Sequence, residues 1–217
     1  MKKTLLGLLI APCLIAPAVN ADDVFSLPKR EGFYVGGGYG LAKYQDGCDG
    51  VDSSISSSIT DCDRKDQGYK AFAGYRFNDF FALQGGYYDL GKATADAENG
   101  YKGSWETGHG SREIKGYALQ LVTLYPADEY LDIKAMIGAF HWQSDTSATG
   151  YSVNHAVFSY DNNERGTDLM YGVGVNIHLT NQLSLGLDYE RFNNIGDDRY
   201  VEGDDVDFIS GSVQYTF

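Results

Sequence analysis

Lys70, Lys134, Asn176, Asp188 and Glu190 are two ammonium groups, an amide and two carboxylates, and each sits at a polar position of a stretch that otherwise alternates. If the greasy positions of those stretches face outward, the five side chains share an enclosed interior. A lone charge in such a place costs several kcal/mol, roughly, so the charges must pair. The expected chemistry is an ion-pair network with Lys134 and Asp188 at its centre, which either fills the interior or gates it. A second constellation is His109-Gly110-Ser111 with Glu113 close by. Nucleophilic catalysis needs a rigid base, an orienting acid and an oxyanion hole. This triplet lies in a Gly-rich stretch that reads as a loop, so no catalytic residue is assigned.

Metal chemistry is not indicated. The four histidines have no ligand spacing, with His141 and His178 reading as interface and lumen residues. The acids Asp46, Asp49, Asp52, Asp61 and Asp63 match no EF-hand loop and read as a solvated acidic loop. No metal and no cofactor is expected. Cys48 and Cys62 lie within that loop, and in an exported chain a disulfide between them is the default reading, with a weak ligand pair as the alternative. Closing a loop of about 15 residues would restrict the unfolded chain by about 3 kcal/mol in the entropy model.

Export is expected from the N-terminus. Lys2 and Lys3 precede the apolar run Leu5 to Ile15, and Val19 and Ala21 sit at the small-residue positions of a cleavage site. Residues 1–21 read as a signal peptide and residues 22–217 as one domain. Pro12 and Pro17 interrupt a run already too short for a spanning helix, and Pro12 before Cys13 departs from a lipoprotein signal.

The elements that must position the polar set are strands. The last stretch, Asp205 to Phe217, sets Val206, Phe208, Ser210, Ser212 and Gln214 on one face and Ile209, Val213, Tyr215 and Phe217 on the other. Gly32 to Tyr44, Gly68 to Phe77, Phe80 to Gly91, Arg112 to Tyr125, Tyr130 to Trp142, Asp168 to Leu179 and the stretch from Leu183 alternate in the same way. No helical pattern is available to cover their apolar faces, which leaves lipid. Only helices and closed barrels satisfy their backbone in a bilayer, and a tilted strand of about 10 residues spans it. The expected fold is all-β, an eight-stranded antiparallel up-and-down transmembrane barrel. Short turns would lie in the periplasm, and long loops outside at Tyr44 to Asp66, Lys92 to Ser111, Ser144 to Arg165 and Asn193 to Asp204.

Composition agrees with this class. A mean hydropathy of -0.32, with 27 Gly, 17 Tyr and only 4 Pro, is unlike a helical membrane protein but suits strands whose alternate residues face a polar interior. The formal charge of -13 argues against nucleic acid as a partner.

The run Leu187-Asp188-Tyr189-Glu190-Arg191-Phe192-Asn193-Asn194-Ile195-Gly196-Asp197, with the ending Val213-Gln214-Tyr215-Thr216-Phe217, resembles the transmembrane domain of OmpA-type proteins. Gly74-Tyr75-Arg76-Phe77-Asn78 is a weaker second match. The resemblance implies a small outer-membrane barrel associated with envelope integrity, adhesion or narrow conductance, and it places Asp188 at the inward acidic position of the family's lumen. It also implies that Val213, Tyr215 and Phe217 form the C-terminal signal read by the barrel assembly machinery, with a periplasmic chaperone on the way. OmpA itself continues into a peptidoglycan-binding domain, whereas this chain ends at the barrel, so peptidoglycan anchoring is not expected. The spacing of His109 and Ser111 is similar to that of the lipid A deacylases, which makes lipid A modification the most distant functional alternative.

The remaining expectations concern partners. Lys43, Lys115 and Arg191 lie near the upper rim, where they can meet lipopolysaccharide phosphates. Tyr101, Trp105, Tyr151, Phe158 and Tyr160 give the loops aromatic groups for a host-surface or environmental ligand. A monomer in the outer membrane with a structural role is expected, with a narrow channel and a surface adhesin as alternatives.

Overall fold

The computed structural model describes residues 31–45, 58–98, 107–151, 157–196 and 204–217. The region read as a signal peptide and Cys48 lie outside the described residues. The strands are β1 (Gly32–Tyr44), β2 (Ser58–Asp63), β3 (Lys65–Arg76), β4 (Phe81–Glu98), β5 (Thr107–Asp128), β6 (Leu131–Tyr151), β7 (Val157–His178), β8 (Leu183–Ile195) and β9 (Asp204–Thr216). All pairings are antiparallel, and the ring closes through β1 with β9 and β4 with β5. β2 and β3 pair with successive parts of β4, so the nine strands make eight staves of one barrel.

Alternation decides which side of each stave meets lipid. On β5, Tyr117, Leu119, Leu121 and Tyr125 are exposed while Ala118, Gln120, Val122 and Leu124 are buried. The stretch Tyr117 to Tyr125, nine residues of β5, covers about 23 Å at about 3.3 Å per residue and a tilt of about 40°, which matches an apolar band. Aromatic pairs border the band. Phe33 packs edge-on to Tyr75 at 4.6 Å and Tyr215 to Phe217 at 5.2 Å at one end, and Tyr87 lies 5.3 Å from Tyr117 at the other.

The turns at the first end are tight. Asn78 Oδ1 accepts from the N–H groups of Phe80 (2.8 Å) and Phe81 (2.9 Å), and Thr180 Oγ1 accepts from that of Leu183 (2.9 Å). Such side-chain caps satisfy turn donors without extra residues.

At the other end the strands run further than the alternation of apolar residues indicates. The stretches read as the second and third long loops are largely strand, because β5, β6 and β7 reach 22, 21 and 22 residues with unbroken pairing above the lipid band. His109-Gly110-Ser111 therefore lies inside β5, not in a loop. The reason is physical: outside the membrane a paired strand needs no apolar outer face, so the greasy alternation stops while the hydrogen bonding continues.

Candidate functional site: the filled lumen

Inward side chains come from every stave and form three levels. Nearest the short turns, Arg76 Nη1 donates to Asp132 Oδ2 at 2.6 Å, and the His178 ring bridges Asp132 Oδ2 (3.0 Å) and Ser184 Oγ (2.9 Å). Arg76 also donates to the turn carbonyls of Asn78 and Asp79 at 3.2 and 2.9 Å. An apolar patch of Tyr34, Phe72, Ala82, Val122, Leu124 and Met136 lies on the wall around it.

The middle level holds the charges singled out in the sequence. Lys70 Nζ of β3 lies 2.9 Å from Asp188 Oδ2 and 2.5 Å from Glu190 Oε2 of β8. Lys134 Nζ of β6 lies 2.8 Å from Asp188 Oδ1. Tyr88 donates to Glu190 Oε1 at 2.8 Å, and Gln120 donates to Tyr88 at 2.6 Å. Two lysines face two carboxylates, so the set is neutral, as groups withdrawn from water must be. Asn176 is buried one step towards the turns, cross-strand from Gly186, and bonds none of the four charged groups among the described contacts. Room for the set comes from a glycine: a Cβ on Gly174 would sit 2.1 Å from Asp188 Oδ1 and 2.9 Å from Lys134 Cε.

The upper level is apolar. Tyr44, Tyr88, Phe140, Trp142, Phe192 and Phe208 are each at most 2% exposed and pack with Leu90, Ile114, Met170, Ile195 and Val206. Phe140 and Phe192 meet at 4.6 Å, and Tyr88 lies 5.4 Å from Phe192 and 6.0 Å from Phe140. The polar handles find partners at the margin, with Trp142 Nε1 donating to Asp168 Oδ2 at 2.6 Å and Tyr44 to the Gly91 carbonyl at 3.1 Å. Asn194, with φ of 53°, and Gly196, with φ of 145°, have left-handed backbone at the end of β8, where Ile195 still pairs with Asp204 of β9. There Arg112 Nη2 donates to the Ile195 carbonyl at 2.7 Å.

The rim cations are already engaged. Lys115 Nζ lies 2.7 Å from Glu113 and 3.7 Å from Asp89, and Arg191 lies 2.7 Å from Asp205 and 3.4 Å from Asp207. Above the lipid band, partial burial of Asp205 acts to raise its pKa, but Arg191 and the Asn194 N–H hold the carboxyl below the usual carboxylate value. Lys43 is exposed and lies cross-strand from Asp207. His109 Nδ1 lies 2.6 Å from Asp96 Oδ1, and Ser111 bonds Ser147 rather than the imidazole. His141 bonds Thr167 on the outer face.

A family model described as the OmpA-like transmembrane domain matches residues 28–217, which take in the whole of the described barrel. The chain belongs to this family. Outer membrane protein A of Escherichia coli O157:H7 is 28% identical over 218 residues, covering 100% of this chain and 55% of that protein. The Serratia marcescens protein of the same name is 30% identical over 222 residues, with 100% and 56% covered. The chain thus spans about half the length of these OmpA relatives. Among solved structures, OprG from Pseudomonas aeruginosa superposes with a TM-score of 0.51 at 12% identity over 88% of this chain and 98% of that one, a likeness of fold. Within the OmpA-like domain, strand parity indicated every charged member of the middle level. Tyr88, Gln120 and the Arg76–Asp132–His178 group were missed as sites, although the same parity turns them inward.

Proposed function

We propose that this OmpA-like barrel is a sealed structural component of the outer membrane that supports envelope integrity and does not conduct. The observation that carries the reading is the stacking of a neutral buried ion cluster beneath a layer of buried aromatic side chains. Ions cross a pore through polar, hydrated surface, and barrels of about eight strands have interiors that side chains can fill. The Lys70, Lys134, Asp188 and Glu190 cluster then serves as filling that fixes the packing of β3, β6 and β8 rather than as a gate.

The test is single-channel recording of the refolded protein in a planar bilayer, wild type beside Asp188→Ala. Absence of unitary steps in both is expected. Reproducible steps in the wild type that change in Asp188→Ala would overturn the sealed reading in favour of a narrow gated pore.

Three further expectations belong to the same proposal: removal of residues 1–21 on export, a Cys48 to Cys62 disulfide, and recognition of Val213, Tyr215 and Phe217 by the assembly machinery after passage with a periplasmic chaperone. Contact of Lys43, Lys115 and Arg191 with lipopolysaccharide phosphates would require Lys115 and Arg191 to share their charge with the carboxylates that hold them. A lipopolysaccharide pull-down unaffected by Lys115→Glu together with Arg191→Glu would remove that contact.

A further inference from the structure

The apolar outer face ends at one level on three neighbouring staves. Leu41 of β1 lies cross-strand from Ile209 of β9, which lies cross-strand from Tyr189 of β8, and Leu41 and Ile209 are exposed. The next outward residues up are Lys43, Asp207 and Arg191, and on the other side of β1, Lys65 of β3 lies directly cross-strand from Lys43. Two residues at about 3.3 Å each and a tilt of about 40° place this row about 5 Å above the last apolar one. The polar zone on each side of a bilayer is about 5–7 Å thick, so the row lies among lipid headgroups.

Within that row the charges are unevenly met. Asp207 Oδ1 accepts from the Tyr189 hydroxyl at 2.7 Å and lies 3.4 Å from Arg191 Nη1, and its Oδ2 accepts from the Gln45 side chain, so its partners are donors other than Lys43. Asp63, one step further from the membrane, accepts from the Lys65 backbone N–H at 3.1 Å. Lys43 and Lys65 are both exposed, and among the described residues neither ammonium makes a hydrogen bond or an ion pair. Directly opposed residues of an antiparallel pair hold their Cβ atoms about 5 Å apart, and like charges there repel. An anion held between the two ammonium groups turns that repulsion into attraction.

We infer that Lys43 and Lys65 together bind one phosphomonoester group of lipopolysaccharide. The chemistry selects the ligand. Lysine ammonium groups are compact point charges that meet phosphate oxygens from different directions, without the planar fork with which arginine matches a carboxylate. Two of them balance the charge of about −2 on a phosphomonoester near neutral pH, whereas the phosphodiester of a glycerophospholipid carries a single charge. From neighbouring staves both side chains can reach one phosphate at the headgroup level. The inference deepens the lipopolysaccharide contact proposed above and rests on it. It places the contact at Lys43 with Lys65, a residue outside that proposal, rather than at Lys115 and Arg191, which carboxylates already hold. Whether the lumen conducts has no bearing on it.

The experiment titrates the folded protein in zwitterionic detergent with purified lipopolysaccharide and follows binding by calorimetry. Lys43→Gln combined with Lys65→Gln should weaken binding by at least about tenfold, the loss expected for charge-assisted contacts, while Lys115→Gln leaves it unchanged. Lipopolysaccharide stripped of its phosphomonoesters should bind wild type and the double variant alike. A double variant that binds as tightly as wild type would overturn the inference, and this is the result expected if a carboxylate of the chain occupies the site. Equal loss in Lys115→Gln would overturn it in favour of the rim cations, and phosphatidylglycerol binding wild type as tightly as lipopolysaccharide would overturn the choice of a phosphomonoester. Urea unfolding in phosphatidylcholine vesicles, without lipopolysaccharide, separates binding from folding. There the double variant should unfold at the wild-type midpoint or above, since two opposed charges are gone, and a lower midpoint would show that the lysines serve the fold instead.

Discussion

Replacing Lys70 by Met tests the hierarchy of the buried cluster. The Lys70 side chain is 1% exposed and touches both carboxylates, which are themselves 1% and 0% exposed. Methionine keeps an unbranched side chain but removes the ammonium group, which lies 5.8 Å from the Phe72 ring and 5.9 Å from the Tyr88 ring, leaving the cluster at one net negative charge. Glu190 then keeps only Tyr88 at 2.8 Å and a long contact to Gln120 at 3.5 Å. Breaking a buried pair in this way costs about 3–5 kcal/mol. Lys134→Met gives the same net charge, yet Asp188 still has Lys70 at 2.9 Å and the lost contact is an ion pair without a hydrogen bond, so the cost should be the smaller of the two, below about 3 kcal/mol. Combining Lys70→Met with Glu190→Gln restores neutrality and should recover about 1–3 kcal/mol of the loss. The assay is equilibrium urea unfolding in phosphatidylcholine vesicles, followed by the fluorescence of Trp142, which is buried in the upper lumen. If Lys134→Met proves as costly as Lys70→Met, or if the double variant is less stable than the Lys70 single, the geometry does not set the energetics.

Four other substitutions test the same structure in two pairs. Gly174→Ala should destabilise by about 1–3 kcal/mol through overpacking, because its Cβ would meet Asp188 Oδ1 and, at 2.7 Å, the Leu187 carbonyl, whereas Gly211→Ala meets nothing within 4 Å and should unfold at the wild-type urea concentration. On the lipid face, Leu119→Arg at mid-band should cost about 2–4 kcal/mol in vesicles, while Ser147→Arg on the same face above the band should leave the urea midpoint unchanged.

The period of two made most of the membrane-embedded half legible. Lys134 and Asp188 lie on strands far apart in sequence, yet both fall between residues that must meet lipid, so both had to face in. Their partners were harder to read. Lys70 reaches across the lumen from β3 to β8, and which inward base meets which inward acid depends on the stagger of the whole ring. Alternation cannot supply that stagger. Above the membrane even the strands were hidden. Ser144 to Arg165 carries Asp145, Ser147, Thr149, Asp161 and Asn163 on its outer face, so nothing in hydropathy marks it as paired. The same polarity concealed His109 and Ser111 in β5, where Asp96 and Ser147 occupy them separately.

The upper apolar layer also bears on how the barrel comes together. Its members arrive from β1, β4, β5, β6, β7, β8 and β9, and Tyr88 touches both Phe192 and Phe208 near the end of the chain. An arc of five or six staves would hold half of these rings against open water and gain little from them. The reward is therefore concentrated in the last step, when β9 reaches β1 and the rings are enclosed from every side. Closure of this molecule is a cooperative event with its driving force stored inside the ring, so a truncated chain should fail to form any stable arc rather than form a smaller one.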